Sequence, residues 1–341
     1  MKPEVDLEKQ LKIDDLRPND LMGEWAVRVA ADVDWLKKHR HMFEEVNCPA
    51  CAENNFDQLY EKNGVPHVSC RTCGTQYANP RPTERVLIDF YKRSSNYEYW
   101  AEKIYSASEE VRRQKLFVPR VQYILECVNR SGLKSPTLLE IGAGYGIFCQ
   151  EASKTGEFSA VMGVEPTPSL AKVCRDKGLN VFESSYEDLD PNLRADIIVC
   201  YEVIEHLQAP DKFLDFCFRT LNKNGLLVLT CPCISGFETK VQGRFSGTID
   251  HQHVNLFSKT SLKLLAARIG FDDIEVETPG ELDTELVIDC MKRGEANIEV
   301  LGTFLAEVLE VADDETISAF QAFLRKVKAS SHMRLAARKT T

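Results

Sequence analysis

The chain has 341 residues, 43% hydrophobic and 28% charged, with 42 basic against 52 acidic side chains and a net charge of −10. That balance gives globular domains with sizeable cores and excludes a disordered or fibrous protein. The acidity disfavours a partner held through phosphates, so nucleic acid is not the expected ligand.

No apolar run reaches the roughly 18 residues of a membrane span. The first twenty residues lack the apolar core of a signal peptide, which makes membrane insertion unexpected and the cytoplasm the expected location. Twelve cysteines in that setting read as thiols and a metal site, not disulfides.

Residues 1–45 read as an amphipathic helical segment, with Trp25, Val29, Val33, Leu36 and Phe43 near helical spacing. Its 11 acidic and 8 basic residues describe a solvated face rather than a basic arm. Residues 46–83 change character: Cys48 and Cys51, then Cys70 and Cys73, form two C-x2-C knuckles 18 residues apart. That spacing fits a zinc ribbon in which four thiolates close a structural Zn²⁺ site. Residues 84–135 form a helical linker or lid rich in aromatics, of which Tyr97, Tyr99 and Trp100 are candidate acceptor contacts.

From residue 136 to 341 apolar runs alternate with helical stretches, the pattern of an α/β domain with a mainly parallel sheet. Residues 283–328 read as a helical insertion before a last strand carrying Met333, Leu335 and Ala337. The first run enters Glu140-Ile141-Gly142-Ala143-Gly144-Tyr145-Gly146, a glycine turn that lets backbone approach a ligand closely. Glu165 closes the next strand, followed by Pro166, where a carboxylate can accept ribose hydroxyls. Tyr186 and Glu187 follow a third strand. The fourth runs into Tyr201, Glu202, Glu205 and His206; on a helix, 202, 205 and 206 would share a face. His251 and His253 lie in the loop after the fifth strand. Two carboxylates and imidazoles suit a hard divalent ion; a metal-free general base and plain packing remain alternatives.

Residues 136–280 resemble the class I S-adenosylmethionine-dependent methyltransferases. The resemblance implies a Rossmann-like seven-stranded sheet with one antiparallel strand and S-adenosylmethionine as cofactor. It places Glu140, Gly142, Ala143, Gly144, Tyr145 and Gly146 around the methionine moiety, Glu165 and Pro166 at the ribose, Tyr186 and Glu187 at the adenine, and Tyr201 and Glu202 nearby. The E-x-x-E-H pattern with a later histidine resembles small-RNA 2′-O-methyltransferases and ubiquinone-pathway O-methyltransferases, which implies Mg²⁺ or Mn²⁺ on Glu202, Glu205, His206 and His253. Without a metal, His206, His251 or His253 would serve as base beside Glu205.

The wider layout, CPxC…CxxCG…NPRP and a terminal SSHMRLAARK, resembles bacterial zinc-ribbon methyltransferases associated with surface-polysaccharide or natural-product assembly. It implies O-methylation of a sugar, nucleotide-sugar or glycan. RNA methylation (2′-O or base), sugar C-methylation, natural-product methylation and a non-enzymatic cofactor-binding protein are the competing readings.

Overall fold

The computed structural model describes residues 11–340, without the side chain of Tyr97. The central sheet has seven strands: β1 (Thr137–Ile141), β2 (Ala160–Val164), β3 (Asn180–Phe182), β4 (Ala195–Tyr201), β5 (Leu221–Pro232), β6 (Asp272–Glu277) and β7 (His332–Lys339). Their order is β3-β2-β1-β4-β5-β7-β6. β3, β2, β1, β4 and β5 run parallel, and β7 pairs antiparallel with both β5 and β6. Leu138, Leu139, Ile197, Ile198, Val199, Leu227, Val228 and Leu229 are buried, as strands covered on both faces require. Each such side chain contributes roughly 2 kcal/mol of transfer free energy. The order reverses between β1 and β4, so their carboxyl ends open a crevice at the switch point.

Helices Asp283–Lys292, Ile298–Leu301, Thr303–Glu310 and Asp314–Lys326 stand between β6 and β7. Asp283 ties this insertion to the start of β7. Its Oδ1 accepts from Ser331 N and its Oδ2 from Ser330 Oγ and Gln321 Nε2.

The cysteine-bearing segment is a small antiparallel sheet. Phe56–Lys62 pairs with Val65–Cys70 through a two-residue turn in which Asn63 and Gly64 both have positive φ, 52° and 78°. That geometry matches the twist of a hairpin. Gln76–Ala78 follows, and the fourth strand, Asn255–Leu256, arrives from the loop after β5.

The described part of the N-terminal segment is not merely a solvated face. After the short helix Ile13–Leu16, the helix Asn19–Lys38 buries Leu36 with Val86 and Phe90. Its buried Asp32 accepts from Ser94 Oγ at 2.6 Å. The chain then runs helically from Ser95 to Ser131 with two wider π-type turns, Trp100–Tyr105 and Arg113–Phe117. Residues 1–10 of the expected helical segment lie outside the described residues.

Candidate active site

The candidate cofactor cradle is built almost entirely by β1, β2 and the turns that follow them. Gly142, Gly144 and Gly146 all have positive φ. A Cβ on Gly146 would lie 2.5 Å from Leu179 Cδ1, so the turn packs tightly there; a Cβ on Gly144 would meet nothing within 4 Å. Gly144 therefore presents bare backbone to open space. Glu165, buried at the end of β2, accepts from Gly144 N and Thr167 N, each at 2.8 Å. Its carboxylate is fixed facing that space, which fits a ribose with two hydroxyl donors.

Ala143 is buried and Pro166 exposed beside this carboxylate. Tyr145 stacks on Tyr105 of the helical segment, with centroids 4.6 Å apart, and its hydroxyl donates to Ala101 O. Tyr186 packs edge-on against Phe213, with Glu187 exposed next to it. Glu140 is fully buried, accepts from Cys149 Sγ at 3.0 Å, and has its pKa pushed up to about 8 by desolvation.

At the end of β4 the expected shared helix face does not form. Glu202 sits at φ 57°, and Ile204–His206 is a single 3-10 turn, so α-helical spacing does not apply. Glu205, His206 and His253 bring one ligand atom each to within 4.8 Å of one another. Glu205 is buried with its Oε2 unpartnered. His206 Nδ1 lies 3.1 Å from Gln252 O and His253 Nδ1 2.6 Å from Thr248 O. Carbonyls accept only, so both Nδ1 atoms carry the proton and both Nε2 lone pairs are free, the arrangement of ligating histidines. An uncommitted carboxylate oxygen and two free imidazole nitrogens fit a divalent cation.

Glu202 and His251 do not join this set. Glu202 Oε1 accepts from Arg120 Nη2 at 3.1 Å and from Thr230 Oγ1, and lies 2.7 Å from His332 Nε2. These partners hold its pKa well below the usual carboxylate range, His332 first, despite the opposing cost of burial. His251 is buried edge-on to Phe90, and its pKa is lowered by desolvation. It packs the lid.

The four ribbon thiols also converge. Cys48 Sγ and Cys73 Sγ are 3.5 Å apart, as are Cys51 Sγ and Cys70 Sγ, and all four lie within 4.8 Å of one another. The other eight cysteines are buried. The ribbon braces the His253 loop: Arg81 donates to Asn255 Oδ1 and to Gln208 O, and Asn255 Nδ2 donates to Ile204 O and Leu207 O. Ala78 N donates to Val254 O at 3.0 Å.

Of the candidate acceptor contacts, Tyr99 is spent on packing. It is buried, donates to Leu21 O at 3.0 Å, and has Arg28 over its ring. Trp100 packs on Trp25 at 5.8 Å and carries Arg17 at 5.6 Å. The side chain of Tyr97 lies outside the described residues. Sequence reasoning missed Arg17, Arg112, Arg120 and His332. For His332 a signal existed: the first residue of an antiparallel strand beside parallel ones sits at their carboxyl edge, here opposite Pro232.

Residues 107–276 match a family described as a methyltransferase domain. The segment is similar to a methyltransferase domain. Two curated relatives are named ubiquinone biosynthesis O-methyltransferase. The one from Bradyrhizobium diazoefficiens is 35% identical over 99 residues, covering 27% of this chain and 38% of that protein. The one from Bradyrhizobium sp. (strain ORS 278) is 34% identical over 112 residues, covering 31% and 42%. The chain thus spans about two fifths of the length of these relatives. Among solved structures, Haemonchus contortus phosphoethanolamine N-methyltransferase 2 in complex with S-adenosyl-L-methionine aligns at 20% identity with TM-score 0.49, over 84% of this chain and 71% of that one. No described helix is long and apolar enough to cross a membrane.

Proposed function

We propose that the protein transfers a methyl group from S-adenosylmethionine to a hydroxyl of a small polar acceptor, a sugar, nucleotide-sugar or glycan end, at a site that takes Mg²⁺ or Mn²⁺ on Glu205, His206 and His253. The observation that carries this reading is the triad: a buried carboxylate oxygen without a partner faces two imidazoles whose Nδ1 protons are already committed to carbonyls. Buried polar atoms rarely stay unpaired without a functional reason. The names of the curated relatives, O-methyltransferases, support oxygen as the methylated atom, and the net charge of −10 supports a small acceptor over RNA.

S-adenosylmethionine supplies an electrophilic methyl sulfonium when bound, and a divalent cation would lower the pKa of an acceptor hydroxyl. Glu165 and the Gly144 backbone fix the nucleoside end, Arg120 and Glu202 stand at the switch point, and the lid excludes water. Positioning of this kind supplies much of the rate of a transfer to an already activated methyl group. The ribbon thiols would hold a structural Zn²⁺ that carries no chemistry of its own.

A metal-free base is a second reading, favoured by one pair: His332 is braced through Nε2 by Glu202 at the carboxyl edge. A single assay separates the two. Methyl transfer from labelled S-adenosylmethionine to a panel of sugars, nucleotide-sugars and glycans is measured before and after chelation that leaves the ribbon zinc in place. The metal reading expects activity to vanish and to return with Mg²⁺ or Mn²⁺. Full turnover after chelation overturns it in favour of the base. No transfer to any hydroxyl acceptor overturns the acceptor class.

A further inference from the structure

Arg17 of the N-terminal segment and Arg112 of the lid are two guanidiniums that the proposed chemistry does not use. Arg17 follows the helix Ile13–Leu16, and its Cζ lies 5.6 Å from the centre of the Trp100 ring. Among the described residues its guanidinium has no hydrogen bond and no ion pair within 4 Å. It faces the loop after β5: a Cβ on Gly247 would come 3.8 Å from Arg17 Nη1. Arg112 lies over the Tyr105 ring at 4.7 Å, donates through Nη2 to Leu16 O at 2.9 Å and through Nε to Ser108 Oγ at 2.8 Å. The carbonyl it holds belongs to the residue before Arg17, and the two cations are close enough to repel one another. Lys62 reaches the same loop from the ribbon and donates to Ser246 O at 2.6 Å.

Neighbouring carboxylates are committed elsewhere. Asp250 Oδ1 accepts from Gln252 N at 2.7 Å and His253 N at 2.8 Å. Glu238 accepts from Ser246 Oγ, and burial pushes its pKa up to about 7. Glu202 is bound by Arg120, Thr230 and His332. Burial lowers the pKa of Arg17, and that of Arg112 to about 10, so each guanidinium is held where water compensates it poorly. Asp250 and Glu238 attract Arg17, and Glu202 attracts Arg112, without a direct hydrogen bond; an anion seated on the guanidiniums would compensate them more closely.

We propose that Arg17 and Arg112, between the aromatic lid and the loop bearing His253, form a receptor for a phosphoryl group on the acceptor. The uncommitted fork of Arg17 and the remaining N–H groups of Arg112, from different elements, match a doubly charged tetrahedral or diphosphate anion, whereas a lone carboxylate needs only one fork. The acceptor is then a phosphomonoester or a diphosphate-linked sugar, with its hydroxyl towards the Glu205–His206–His253 triad. Only the orientation of the acceptor rests on the methyl-transfer reading; anion binding does not.

The test is calorimetry on the full zinc-loaded chain with inorganic pyrophosphate and with inorganic phosphate, each with and without saturating S-adenosylhomocysteine. At least one anion should bind, and should bind equally with the nucleoside present. Preference for pyrophosphate identifies the diphosphate class, and preference for phosphate the monoester. Arg17→Gln should weaken anion binding by about tenfold or more, with S-adenosylhomocysteine affinity unchanged and the melting temperature not lowered. Arg112→Gln should do the same, but it also removes a lid bond, so Arg17→Gln decides. Binding of neither anion, an unaffected Arg17→Gln, or displacement by S-adenosylhomocysteine overturns the receptor; displacement would assign the arginines to the cofactor's own carboxylate. If S-adenosylhomocysteine gives no heat, the methyl-transfer reading fails, and the anion result still stands or falls alone.

Discussion

The proposed cofactor cradle and the proposed acceptor chamber sit on the same sheet edge but are assembled in opposite ways. The cradle comes from neighbouring turns: Gly144 and Glu165 are joined by one hydrogen bond across adjacent strands β1 and β2. The chamber draws on the lid, the 3-10 turn after β4, the loop after β5, the first residue of β7 and the cysteine ribbon. Its geometry depends on contacts such as Arg81 with Asn255, 174 positions apart. A site built locally should survive damage elsewhere; a site built from distant pieces should not.

The largest test of that contrast is Cys70→Ser. Loss of one thiolate should release zinc and destabilise the ribbon by about 4 kcal/mol or more. The strand Asn255–Leu256 then loses its sheet, and His253 its fixed place opposite Glu205 and His206. Metal analysis, thermal melting and methyl transfer should all change, while calorimetric affinity for S-adenosylhomocysteine stays within about twofold, a shift of under 0.5 kcal/mol. Equal loss of both would show that cradle and chamber are one cooperative unit.

Glu165→Ala is the reciprocal experiment. It removes the proposed acceptor of two ribose hydroxyls and the tether on Gly144 N. At about 1.5 kcal/mol for each hydrogen bond to a charged group, affinity for S-adenosylhomocysteine should fall by about a hundredfold. Zinc content and Mn²⁺ binding should not move. An unchanged dissociation constant would remove Glu165 from the nucleoside site.

The same contrast explains what the sequence made legible. A strand entering a glycine turn with an acid closing the next strand is a local rule, so the order of β1 to β5 and the cradle follow from residues 138–165 and the runs after them. The two cysteine knuckles are legible because ligand spacing is local too. The chamber is not. The grouping of Glu202 with Glu205 and His206 assumed α-helical spacing, whereas a positive φ at Glu202 turns its carboxylate towards Thr230 and His332. His251 looks equivalent to His253 along the chain, yet only His253 faces Glu205, because pairing of Asn255–Leu256 with the ribbon sets the loop's register. Arg17 had no signal at all: its significance lies in contacts with Trp100 and the loop at 247, which no spacing rule connects.

The smallest effect concerns Glu140, the one cradle residue that works against stability. Its ordinary pKa of 4.5 is raised to about 8 because burial opposes the charged form by more than Cys149 and the more distant Arg120 compensate. Between those two values the folded chain keeps a proton that the unfolded chain releases, so stability falls as pH rises from about 4.5 to about 8 and then levels off. Glu140→Gln removes that slope. The variant should be more stable than the parent at pH 8 by on the order of 2 kcal/mol, and no more stable at pH 5, as denaturant unfolding at the two pH values would show. The cradle adds a sharper readout. If the ammonium of the bound nucleoside amino acid lies beside Glu140, the attraction favours the carboxylate, and binding at pH 7 should release close to one proton. The calorimetric heat would then vary with the ionisation enthalpy of the buffer in the parent and not in Glu140→Gln. A buffer-independent heat would place the ammonium elsewhere, and Glu140 would serve only to pack β1 against the helix carrying Cys149.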